Sequence, residues 1–81
     1  MSKQMIFEMM KESISIILPD IEPDQLSIDD SLKEIGANSV DRMDIIIDMM
    51  EKLDIKIPLI EFGELKNMGE IVDLLFSKKG F

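Results

Sequence analysis

With 81 residues, 17 acidic against nine basic side chains, and neither histidine nor cysteine, the chain has room for one small domain and lacks the usual neutral-pH base and any thiolate nucleophile. Its net charge of −8 repels nucleic acid and anionic lipid, so protein partners should present basic surface. A content of 46% apolar and 32% charged residues belongs to a folded domain outside the membrane, and runs such as Ile45-Ile46-Ile47 are far too short to cross a bilayer.

Ile6, Met10, Ile14 and Ile17, joined by Phe7 and Leu18, recur at three- and four-residue steps, with Glu8, Lys11, Glu12 and Ser15 on the other side. This spacing predicts an amphipathic helix of about four turns. Ser2 is its expected N-cap, and Pro19 stops it. The start, Met1-Ser2-Lys3-Gln4, lacks the apolar stretch of a signal peptide, so a cytoplasmic location is expected.

The twenty residues from Pro19 to Asn38 are too many for a structureless loop. Asp30 to Gly36 reads as a capped single turn ended by glycine, with Leu32 and Ile35 docking it. Ile21, Leu26 and Ile28 are expected to pin the remainder. A second long helix is predicted from Asn38 or Ser39 to about Leu53, with Asn38 as N-cap and Asp41 suited to the positive helix end. Met43, Ile46, Ile47, Met50 and Leu53 form its expected buried stripe, with Met49 beside it. Asp41, Asp44, Asp48 and Glu51 form an acidic stripe opposite, with Arg42 and Lys52 at its margins.

Asp54 to Pro58 reads as an extended connector. Leu59 to Leu65 is expected to form a brief helix that tucks Ile60, Phe62 and Leu65 inward. Asn67-Met68-Gly69-Glu70 resembles a capping box opening a last helix, which carries Ile71, Val72, Leu74, Leu75 and Phe76. Lys78 and Lys79 complement its negative pole, and Gly80 ends it. Met9, Met10, Met43, Met49, Met50 and Met68 sit at helical spacing and read as core filling. The fold class is therefore all-α: a small antiparallel bundle of three main helices and one short helix, with a long first loop, in a single domain over residues 1–81.

Catalytic residues are not expected, because a serine hydrolase needs a base and only carboxylates or solvated lysines are available. Zinc lacks its nitrogen and sulfur ligands. An EF-hand alignment of Asp20, Glu22 and Asp24 puts Gln25 at the glycine position and Ser31 where a bidentate glutamate is required, so no metal site is predicted. Ser39 stands out as an acceptor: a phosphodiester on a serine at the first turn of a helix lies beside unpaired amides and the positive dipole end.

The stretch "LKEIGANSVDRMDIIIDMMEKLDIKIP", Leu32 to Pro58, resembles the centre of the acyl carrier proteins. The shared features are the turn at Gly36, Ser39 followed by the small apolar Val40, the acidic Asp41 to Leu53 helix, and Ile57-Pro58. Length, acidity and the long first loop also fit. The resemblance implies 4'-phosphopantetheine on Ser39, placed there from coenzyme A by a phosphopantetheinyl transferase, with acyl groups held as thioesters on its thiol. It also implies that Asp41, Asp44, Asp48 and Glu51 dock on basic patches of partner enzymes, with Val40 and Arg42 at the contact.

Asn38 and Val40 depart from the aspartate and leucine usual in the family. The run Ala37 to Arg42 looks like the discrete carriers of bacterial polyketide pathways that serve a β-branching cassette. There a hydroxymethylglutaryl-synthase-like enzyme takes acetyl from a donor carrier, and Arg42 would help it discriminate among carriers. Acyltransferases and ketosynthases are further partners that the resemblance implies, for a carrier acting as a monomer. A fatty-acid or peptidyl carrier is the alternative within the class. An unmodified acidic helical interaction domain is the alternative outside it.

Overall fold

The computed structural model describes residues 2–79. Among them are three α-helices and no strand: α1 (Lys3–Ile17), α2 (Ser39–Leu53) and α3 (Met68–Lys79). Single 3-10 turns lie at Pro23–Gln25 and Leu59–Phe62. The Ser2 hydroxyl caps α1 by accepting from the Met5 amide at 3.2 Å, and α1 ends just before Pro19. The expected terminator of α3, Gly80, lies outside the described residues.

α1 packs against both other helices. Ile6, Met10 and Ile14 of α1 are fully buried together with Ile45, Met49, Met68 and Leu75. α2 and α3 run in the same sense. Their first turns face one groove, and at the far end Lys79 Nζ donates to the Leu53 carbonyl at 2.7 Å. Lys79 thus caps a neighbouring helix, and Lys78 reaches Glu61 on the second 3-10 turn at 3.9 Å.

The single turn after Asp30 is closed on both sides. Ser31 Oγ accepts from the Glu34 amide at 2.9 Å, so the cap is Ser31 and not Asp30. At the other side the Gly36 amide bonds the Lys33 carbonyl and the Ala37 amide bonds the Leu32 carbonyl, with Gly36 at φ 109. This is a Schellman closure, and its usual apolar contact is present in the buried pair Leu32 and Ala37. A side chain at position 36 would strain that φ.

Three expectations are corrected. Ile28 does not pin the loop with its side chain, which is half exposed; its carbonyl does so, accepting from the Gly69 amide at 2.8 Å, beside a bond from the Met68 amide to the Asp30 carbonyl. On α2 the buried residues are Ile45, Ile46, Met49 and Leu53, whereas Met43 is 47% exposed and Ile47 37%. The buried face thus keeps Ile46, Met49 and Leu53 of the expected set but is shifted toward Ile45 and away from Met43 and Ile47. Its apolar arc is wide, and the observed orientation also brings Asp48 to the buried Ser13 hydroxyl of α1. Finally, Ile60 is 84% exposed while Phe62 is buried. Phe62 is the one residue of that turn to enter the core, with Leu65 beyond it partly buried against the same core.

Candidate functional site

Asn38 precedes α2 in extended conformation, and its Oδ1 accepts from the Asp41 amide at 2.8 Å. Asp41 returns a carboxylate oxygen to the Asn38 amide at 3.3 Å, closing a capping box. Ser39 and Val40 follow as the first helical residues and are exposed; their amides are beyond the reach of the cap. One turn on, Arg42 Nη1 donates to the Ala37 carbonyl at 2.9 Å, which draws the guanidinium back beside the turn that presents Ser39.

The chain has seven serines and neither threonine nor tyrosine. Six of the serine hydroxyls are engaged. Ser2, Ser27 and Ser31 accept backbone amides, Ser15 and Ser77 donate to backbone carbonyls, and Ser13 donates to Asp48. Ser39 alone makes no hydrogen bond among the described residues. Its side chain opens onto a groove of about 540 Å³ between the starts of α2 and α3. Met43, Ile46, Phe62 and Ile71 give that groove an apolar floor.

The four acids of α2 divide in two. Asp41 is occupied by the capping box. Asp48 accepts from the buried Ser13 hydroxyl of α1 and pairs with Lys52 at 3.2 Å, while Lys52 also donates to Ser13 at 3.1 Å. Asp44 and Glu51 are exposed and form no ion pair among the described residues. Val40, 63% exposed, continues with Met43 and Ile47 as an apolar strip along one edge of these acids.

The Ser13 lock was not foreseen, although a signal existed. Ser13 falls between Met10 and Ile14 on the apolar stripe of α1, and a polar residue on a buried face requires a partner. The bond from Ser13, and secondarily the Lys52 ammonium, hold the Asp48 carboxyl below its ordinary value of 3.8 against an opposing effect of burial. A lowered folded-state value means that this group stabilises the fold fully above the unfolded value. The contribution is lost as pH falls through the folded one. In acid titrations followed by circular dichroism, Asp48→Asn should therefore narrow the stability gap between neutral pH and pH below about 4 relative to the parent. An unchanged acid limb would exclude the lock as a source of acid sensitivity.

The fold and the site together define a class: a small helical carrier domain whose one unengaged hydroxyl stands at the head of a capped helix. The chain belongs to the family described as the phosphopantetheine attachment site, which it matches over residues 12–75. It is 42% identical to the polyketide biosynthesis acyl-carrier-protein AcpK of Bacillus subtilis over 78 residues, covering 96% of this chain and 95% of that protein. It is 35% identical to the mitochondrial acyl carrier protein of Saccharomyces cerevisiae over 60 residues, 73% of this chain and 48% of that one. Among solved structures it is similar to a chain in the crystal structure of the curacin pathway HMG synthase in complex with acetyl donor-ACP. There the TM-score is 0.83 and identity 42%, over 94% of this chain and 96% of that one. No helix among the described residues is long and apolar enough to cross a membrane.

Proposed function

We propose that Ser39 is the attachment residue for 4'-phosphopantetheine, and that the chain is a donor carrier in a bacterial polyketide pathway, supplying acetyl to a hydroxymethylglutaryl-synthase-like enzyme. The observation that carries the first part is the solitary free hydroxyl: every other serine oxygen has a partner, and Ser39 is exposed where a transferase reaches it. The second part rests on similarity to AcpK and to the structure containing the acetyl-donor carrier.

The residues present fit such an arm. Oγ of Ser39 is open to solvent, the helix start offers unpaired amides to a phosphodiester, and the adjoining groove has an apolar floor. When bound, the arm supplies a thiol that holds the acyl group as a thioester. The chain's own part is to present the attachment point rigidly, through the capping box and the Arg42 tie to Ala37, and to offer a docking face. It performs no bond chemistry itself and acts as a cytoplasmic monomer.

Docking falls to Asp44 and Glu51, with Val40, Met43 and Ile47 as the apolar strip beside them. Asp41 and Asp48 contribute mainly through the fold. Partner enzymes, the transferase included, would meet this face with basic patches. Asp44→Lys together with Glu51→Lys should lower the kcat/KM of the partner reaction about tenfold or more at low salt, with the gap closing as salt rises. Equal kinetics at all salt concentrations would remove those two residues from the docking face.

Intact-mass spectrometry after incubation with coenzyme A, magnesium and a broad-specificity transferase tests the attachment, with the adduct mapped by proteolysis. An adduct on another serine, or none with several transferases, overturns it. The acyl transfer step is then assayed with acetylated carrier and the synthase-like enzyme. Preferential loading by a fatty-acid transferase or an adenylating enzyme would point instead to a fatty-acid or peptidyl carrier.

A further inference from the structure

Basic side chains are scarce here and most are occupied. Of nine, Lys3, Lys11, Lys52 and Lys78 are in ion pairs, and Lys79 holds the Leu53 carbonyl. Arg42 spends one N–H on Ala37. Lys33, Lys56 and Lys66 have no partner among the described residues. Two of these three unpaired lysines line the groove beside Ser39, and Arg42 lines it with them. The only acid on the same lining is Glu34. A chain with a net charge of −8 has thus placed two of its three uncommitted lysines, with Arg42, around one apolar groove.

We propose that this groove is a cationic berth for the phosphodiester of the arm, with Arg42 nearest the attachment point and Lys33 and Lys66 across the groove. The inference rests on the attachment at Ser39 proposed above. The chemistry of the ligand matches the lining in kind. Next to Ser39 comes an anion, which suits the guanidinium one turn along α2 with its remaining donors. Beyond the anion, pantetheine carries a branched apolar segment, which suits the floor of Met43, Ile46 and Phe62. Each pair is partly solvated and individually weak, so the berth holds the arm reversibly and releases it to a partner. High salt screens it.

The test uses the loaded protein and reads the arm without any partner enzyme. The arm thiol is alkylated with neutral iodoacetamide at low salt and at about 0.5 M salt, and the phosphorus resonance of the diester is recorded in parallel. In the parent protein, alkylation should be slower at low salt by about two- to fivefold, and the phosphorus signal should shift with salt. The double change Lys33→Gln with Lys66→Gln, and separately Arg42→Gln, should speed alkylation at low salt and flatten both salt responses. Removing positive charge would by itself raise the thiol's pKa and slow the reaction, so acceleration reports release of the arm. The lysine pair guards against the chance that Arg42→Gln disturbs the turn at Ala37. A parent response already independent of salt, or variants that match the parent, overturns the berth while leaving attachment intact. Absence of the mass adduct on Ser39 sinks both.

Discussion

Ser39→Ala should abolish loading completely, with no mass gain from coenzyme A under conditions that convert the parent in full. Two features make the outcome absolute. No threonine or tyrosine exists to substitute, and the remaining serine oxygens are held in caps, backbone bonds or the Ser13 lock. Stability should be nearly unaffected, within about 0.5 kcal/mol, because Ser39 is exposed and the cap is made by Asn38. This separates loss of an attachment point from loss of fold. Asn38→Ala supplies the contrast, since removing a capping side chain costs about 1 kcal/mol. Residual loading of the Ser39→Ala protein at any position would refute the assignment.

Ile45→Ala should be the most damaging of the isoleucine changes on α2, costing about 2–5 kcal/mol in urea unfolding. Ile45 is wholly buried, and a domain of this size has only about 5–15 kcal/mol in total. Ile47→Ala, two residues on, should cost less than about 1 kcal/mol, because that side chain lies at the exposed edge beside Glu51. The pair decides how α2 is rotated. Near-equal losses, or a larger loss at position 47, would contradict the orientation that places Val40, Met43 and Ile47 on the docking face.

That rotation marks the limit of what was legible in the chain. Helix positions followed from short-range chemistry: Ser2, Asn38 and Asn67 each cap a helix as their spacing suggested, with Asn67 Oδ1 accepting from the Glu70 amide at 2.9 Å. Even the reciprocal bond is present, although the Glu70 carboxylate accepts from the Lys66 amide instead of that of Asn67. The exposed serine at the head of α2 was equally readable, because helix caps and turn glycines are local signals. The face of α2 that goes inside was legible only in part: Ile46, Met49 and Leu53 lie inside as expected, whereas Ile45 takes the place of Met43 and Ile47. Isoleucines and methionines cover a broad arc of that helix, and the observed orientation satisfies Ser13, 35 residues from its partner Asp48. The berth residues escaped for the same reason. Lys33 and Lys66 are far apart in sequence, and only the fold brings them to one groove.

The seam between the first loop and α3 has a consequence for how the molecule breathes. The opening amides of that helix are satisfied by the carbonyls of Ile28 and Asp30 and not by a side chain alone. Peeling the loop away therefore removes two acceptors and leaves two amides of the helix start unpaired, so loop and helix should open as one cooperative unit. The wall of the cleft beside the attachment point is thereby braced by a segment more than thirty positions downstream, and cargo that wedges the cleft apart would be felt at the last helix first.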